Sequence, residues 1–116
     1  AVLVAISIPV FTTQLEKSRE SVDLSNIRGV YAECAAAVLT APSGTTGISK
    51  QIPDLKQTDK AKWIIDVSDV AGKDLSDSAH IPSNCKYVNV AADGTWDLTA
   101  NKTDGYKTLN SDGTLS

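Results

Sequence analysis

AVLVAISIPVFTTQLEKSRESVDLSNIRGVYAECAAAVLT, residues 1–40, decides how the rest of this 116-residue chain is understood. It has the pattern of one long helix with two unlike halves. From Ala1 to Phe11 the residues are apolar almost without interruption, which leaves no solvated face and suits a membrane or the inside of an assembly. From Thr12 to Asp23 the chain turns polar and charged. A stripe then returns at Leu24, Ile27, Val30, Tyr31, Cys34, Val38 and Leu39, in steps of three and four that put these residues on one helical face against a domain.

Forty helical residues run about 60 Å, whereas a compact domain of this length is roughly 35 Å across. About 25 Å of helix is therefore expected to project. The projecting end is the apolar one, so the chain should carry a hydrophobic spike that needs a bilayer or neighbouring subunits. The expected division is a protruding half at residues 1–23 and a globular head at 24–116. Eleven apolar residues reach only about 16 Å, short of a hydrocarbon core of about 30 Å. The stretch thus reads as the tail of a longer membrane segment or, alternatively, the remnant of a secretory signal. The chain has no methionine, which implies that translation began upstream of Ala1.

A formal net charge of −3 and a pI near 4.9 argue against a nucleic-acid partner for the head, since phosphate binding requires clustered positive charge. Glu16, Lys17, Arg19, Glu20, Asp23 and Arg28 form a mixed-sign band after the apolar run. Such a band is a solvated helix face or, in a projecting helix, a source of salt bridges between subunits at Glu16, Lys17, Arg19 and Glu20. Lys17 and Arg19 also suit anionic head groups. The two cysteines, Cys34 on the helix and Cys85 at the head of a strand, form an even count in a chain that looks exported. This favours a disulfide, which would constrain the unfolded chain by about 4 kcal/mol, with buried free thiols as the alternative.

Pro9, inside the apolar run, predicts a kink or a melted turn. Gly29 costs a helix about 1 kcal/mol unless another backbone approaches closely. Pro42 ends the helix, and APSGTTGISKQIP reads as a loop without periodicity. QTDKAKWIIDVSDV fits a helix face through Trp63, Val67 and Val70, or a strand through Trp63, Ile65 and Val67. His80, the single histidine, falls in the next loop and is expected at the surface.

From Cys85 short alternating segments are separated by Asp93-Gly94, Asp104-Gly105 and Asp112-Gly113, pairs that supply the positive φ angles of tight hairpins. Residues 85–116 are therefore expected to form an antiparallel meander of three or four strands, with Trp96 and Leu98 on one face. The fold class is α+β: a long N-terminal helix packed on a small antiparallel sheet. Nothing in the sequence suggests catalysis, a cofactor or a metal. One loop histidine has no nucleophile beside it, and the Asp-Gly turns lack the spaced acidic series of a calcium loop. Asn101-Lys102-Thr103 is formally a glycosylation sequon.

AVLVAISIPVFTTQLEKSRESVDLSNIRGVYAE, about the first 33 residues, resembles the N-terminal helix of type IV pilins and their pseudopilin relatives, joined part way along it. The resemblance rests on the block Ala5, Ile6, Ser7, Ile8, Pro9, then an aromatic residue, then L-E-K-S-R at Leu15 to Arg19. It implies a structural subunit, not an enzyme, that passes through the cytoplasmic membrane to a pilus assembly machinery. There it would polymerise with copies of itself into an adhesive or motile cell-surface filament. Ala1, Val2, Leu3, Val4, Ala5, Ile6, Ile8, Pro9, Val10 and Phe11 would pack in the filament core. Two other roles are expected to compete with this one. They are a pseudopilin of a type II secretion or DNA-uptake machine, in which DNA is handled by the machine and not the head, and a membrane-anchored binding module.

Overall fold

The computed structural model describes the backbone of residues 2–116 and the side chains of residues 12–116. It is an α+β structure, 65 Å long and 28 by 20 Å across, built on one helix, α1, that runs Val2–Thr40. The kink or melted turn expected at Pro9 lies outside the residues described in full. The helix ends as expected before Pro42, where the residue preceding a proline is pushed out of helical geometry. Thr40 Oγ1 donates to Ala37 O and Ala41 N to Val38 O, which occupies two of the last carbonyls.

The stripe of the C-terminal half faces inward. Leu24, Ile27, Val30 and Cys34 are buried, with Tyr31, Ala37 and Val38 packed at the edge. Leu39 departs from expectation: it is 86% exposed, because one residue past Val38 the helical rotation turns it to the outer face, while Val38 and Ala41 still pack on the core.

Four strands form a mixed sheet in the order β3-β2-β1-β4: β1 Gly47–Gln51, β2 Tyr87–Ala91, β3 Trp96–Thr99 and β4 Lys107–Thr108. The β1–β2 and β2–β3 pairs are antiparallel, in a register that sets Ile48 beside Val90 and Val88 beside Leu98. Those four side chains are fully buried, and the β1 and β2 strands face the helix. Trp96 reaches Tyr31 of α1 with ring centroids 4.9 Å apart.

Two features differ from the expected meander. GISKQ, within the stretch whose composition suits a loop, is the second central strand, β1. After β3 the chain does not turn back beside it but crosses to the far edge, where β4 pairs parallel to β1. The reason lies on the outer face. There Ser49 Oγ donates to Asn89 Oδ1 at 2.5 Å, Asn89 Nδ2 to Thr99 Oγ1 at 2.7 Å, and Thr103 N to Asn89 Oδ1 at 3.2 Å. Residues 100–106 thus cross the sheet over this polar row and set Tyr106 against Gly47. A Cβ at Gly47 would lie 2.5 Å from the Tyr106 ring.

Between β1 and β2 lies a long connection with two short 3-10 turns, Ser78–His80 and Pro82–Asn84. Residues 58–70, which suited a helix or a strand, are neither. Val67, Val70, Leu75 and Ile52 still enter the core. Val70 and Lys73 exchange both backbone hydrogen bonds around Ala71 and Gly72, which have φ of 51° and 81°. That is the pair of positive φ angles that a two-residue reverse turn demands.

Candidate functional site

The connection is held to the helix by three carboxylates. Glu16, Glu20 and Asp23 follow one another at steps of four and three, on the same helical face that continues into Ile27, Val30 and Cys34. All three are buried. Glu16 accepts the N–H of Thr58 at 3.0 Å and of Asp59 at 2.9 Å, with the Thr58 hydroxyl at 2.9 Å. Glu20 Oε1 accepts from the N–H groups of Ile64 at 2.8 Å and Ile65 at 3.2 Å. Asp23 takes those of Lys56 at 2.6 Å and Gln57 at 2.9 Å. Six amides that would otherwise need a strand or a helix as partner are satisfied in this way. The Asp59 and Thr58 amides lead the causes that pull the Glu16 carboxyl down to about 2, against its desolvation.

This corrects the sequence expectation at two residues. Glu16 and Glu20 belong to the interior of the subunit, not to its solvated face, and the head reaches back along the helix to Glu16, beyond the boundary expected at residue 23. Lys17 and Arg19 are half-buried at the rim of the head, with Arg19 3.5 Å from Glu16 of the same subunit. Asp23 was not singled out as a site residue, yet its spacing from Glu16 and Glu20 was the available signal. The side chains of Ala1, Val2, Leu3, Val4, Ala5, Ile6, Ile8, Pro9, Val10 and Phe11 lie outside the described residues.

The expected Cys34–Cys85 disulfide is not formed; both are buried free thiols. Cys34 lies against the core on the inner helix face, and Cys85 Sγ is directed to the carbonyls of Ile81 at 3.5 Å and His80 at 3.6 Å. Burial pushes the Cys34 thiol up to about 11 and the Cys85 thiol up to about 12. Cys85 borders a cleft of about 440 Å³ with Gln51, Leu55, Lys60 and Lys86, but at 2% exposure it presents no reactive sulfur there.

His80 is also displaced from its expected place, being 7% exposed. Its Nδ1 lies 2.7 Å from Asp77 and its Nε2 2.7 Å from Asp97, while its carbonyl accepts from Trp63 Nε1 at 2.8 Å. Lys73 approaches the same Asp97 at 3.6 Å. Burial pushes the Asp97 carboxyl up, but the His80 bond, the Leu98 amide and Lys73 outweigh it and hold it below the usual range. This cluster fastens the connection to β3, and no nucleophile is hydrogen-bonded to the imidazole. Among the described residues no three His, Cys, Asp or Glu side chains are arranged to hold a metal ion.

The opposite face of α1 is left open by the head. Leu15, Ser18, Val22, Ser25, Gly29, Ala32 and Ala36 are all exposed along it. A Cβ at Gly29 would meet nothing within 4 Å, so no backbone of the same subunit explains that glycine. No helix among the described residues is long and apolar enough to cross a membrane. No protein-family model matches this sequence, and neither a curated protein nor a solved structure is detectably similar to it.

Proposed function

We propose that this chain is a structural subunit of a type IV pilus-like extracellular filament. Its apolar N-terminal helix ends bundle in the filament core, and its heads face outward. The proposal starts from the resemblance of residues 1–33. One observation supports it most: a 39-residue helix covered by its head on one face only, in a molecule more than twice as long as it is wide. A helix whose outer face is left open from Leu15 to Ala36 gains most by packing against copies of itself. Before assembly the same end would reside in the cytoplasmic membrane and be handed over to an assembly machinery. The head would then contribute its loops to the filament surface.

Immunogold electron microscopy of intact cells, with antibody raised against residues 42–116, tests this. Label along thin surface fibres that vanish on gene deletion is the expected result. Label confined to the cell envelope would overturn it in favour of a short envelope-spanning fibre or an anchored binding module. Loss of secretion or of DNA uptake in the deletion strain would then separate those two.

A further inference from the structure

With Glu16, Glu20 and Asp23 turned inward, the charges left along the outer side of α1 between residues 12 and 32 are exposed Arg28 and half-buried Lys17 and Arg19, and exposed Glu33, one turn beyond Gly29, is held by Lys50 of the same subunit. No acidic side chain among the described residues pairs with Lys17 or Arg28. Between these flanking charges runs the open row of Leu15, Val22 and Gly29, with Leu15 40% and Val22 51% exposed. The surface is thus apolar along its middle and basic at its edges.

The loop at residues 64–77 has the opposite character. Ile64 is 40% exposed, and Asp66, Asp69, Asp74 and Asp77 all lie at the surface, bordered by Lys62. The loop is folded on itself by the Val70–Lys73 pair and by Leu75 N donating to Val67 O at 2.8 Å. Its carboxylates are fixed by local bonds: Asp66 to Ser68 N at 2.9 Å, Asp69 to Gly72 N at 3.1 Å, and Asp74 to Ser76 N at 2.8 Å. Lys73, the cation within the loop, is drawn away to Asp97.

We infer that the basic outer face of α1 in one subunit docks on the acidic 64–77 loop of a second copy. The loop cannot cover its own helix in this way. It is tied to the inner face through Glu20, about half a helical turn from the row of Leu15, Val22 and Gly29. The contact is therefore head to tail between two different surfaces, and such a contact propagates into an open chain when its rotation does not close. The inference rests on the filament proposal for its setting and adds the pair of surfaces that meet.

The test uses the full chain in a non-ionic detergent, with self-association followed by analytical ultracentrifugation. Two variants are compared with the parent. Lys17→Gln with Arg28→Gln removes the two helix cations that no acid of the subunit pairs with; Asp66→Asn, Asp69→Asn and Asp74→Asn together remove the three loop charges not engaged by His80, while keeping an oxygen for each turn. Each variant should self-associate about tenfold more weakly than the parent, whose association should itself weaken as salt is raised. An equimolar mixture of the two should recover a one-to-one pair, because one supplies an intact loop and the other an intact helix face. A parent that stays monomeric, variants that associate like the parent, or a mixture that forms no pair would overturn the inference. So would loss of binding to vesicles containing phosphatidylglycerol in the helix variant with self-association unchanged, since the basic face would then serve a lipid surface. Recovery of the pair without fibres on cells would sink the filament proposal and leave this contact standing. Fibres formed unchanged by the loop variant would do the reverse.

Discussion

Glu16 meets an environment far from that of an exposed helical glutamate. The amides of Asp59 and Thr58 stabilise its ionised form, so the folded protein holds its carboxyl at about 2 against an ordinary value of 4.5. A folded-state acidity below the unfolded one contributes stability that is complete above about 4.5 and disappears as the pH falls through about 2. Melting temperatures measured across that interval should therefore converge for the parent and Glu16→Gln as the pH falls, the variant being less stable at neutrality. A gap that stays constant with pH would show that the carboxylate charge does not hold the 58–59 segment. The thiols make a second prediction at this scale. Cys34 and Cys85, buried and pushed up to about 11 and 12, should resist a thiol reagent in the native protein. Both should react in denaturant, and a reductant should leave the melting temperature unchanged. No reactive thiol in denaturant until a reductant is added would mean that the pair is bridged after all.

Within α1, Gly29 has open space where a Cβ would go and lies mid-helix. Gly29→Ala should raise the stability of the isolated subunit by about 0.5–1 kcal/mol, read from chemical denaturation, since alanine loses less backbone freedom. If the open helix face packs closely against a neighbour, the same substitution should weaken assembly while it stabilises the monomer. The helix itself was legible because its signal is local: Leu24, Ile27, Val30 and Cys34 repeat at helical spacing, and Pro42 marks the end. Three-quarters of the sheet was legible on similar grounds, from alternation around Val88, Val90 and Leu98 and from the Asp-Gly turns. β1 was not. Gly47 and Ser49 give it little strand character; it is a strand because Ile48 fills the core beside Val90 while Ser49 bonds to Asn89, forty residues away. The 58–70 segment was undecidable for a related reason. Trp63, Ile65 and Val67 do point inward, but the amides of Ile64 and Ile65 find a glutamate on the helix and no neighbouring strand.

At the scale of the whole molecule, the long axis of 65 Å follows from a helix that its head covers only in part. The core draws on helix residues from Leu24 onward, and the carboxylate row extends the hold of the head to Glu16. Deletion of residues 1–11 should therefore leave the melting temperature of the head unchanged within about 2 °C and abolish polymerisation. Filaments formed by the truncated chain would refute a core built from that segment, and a collapsed melting transition would show that the head depends on it. The sequence by itself determined the α+β class, the long helix with its end at Pro42, the inward stripe and the reverse turns at Asp93-Gly94 and Asp112-Gly113, because each depends on residues within a few positions of one another, whereas Asp104-Gly105 turns the chain within its crossing and closes no hairpin. Only the tertiary structure decided that Glu16, Glu20 and Asp23 face inward, that GISKQ is a central strand, that β4 crosses to the far edge and that the two buried thiols are unbridged. Each of those outcomes depends on which distant backbone amide or side chain arrives to satisfy a polar group or fill a space, and no local periodicity encodes that arrival.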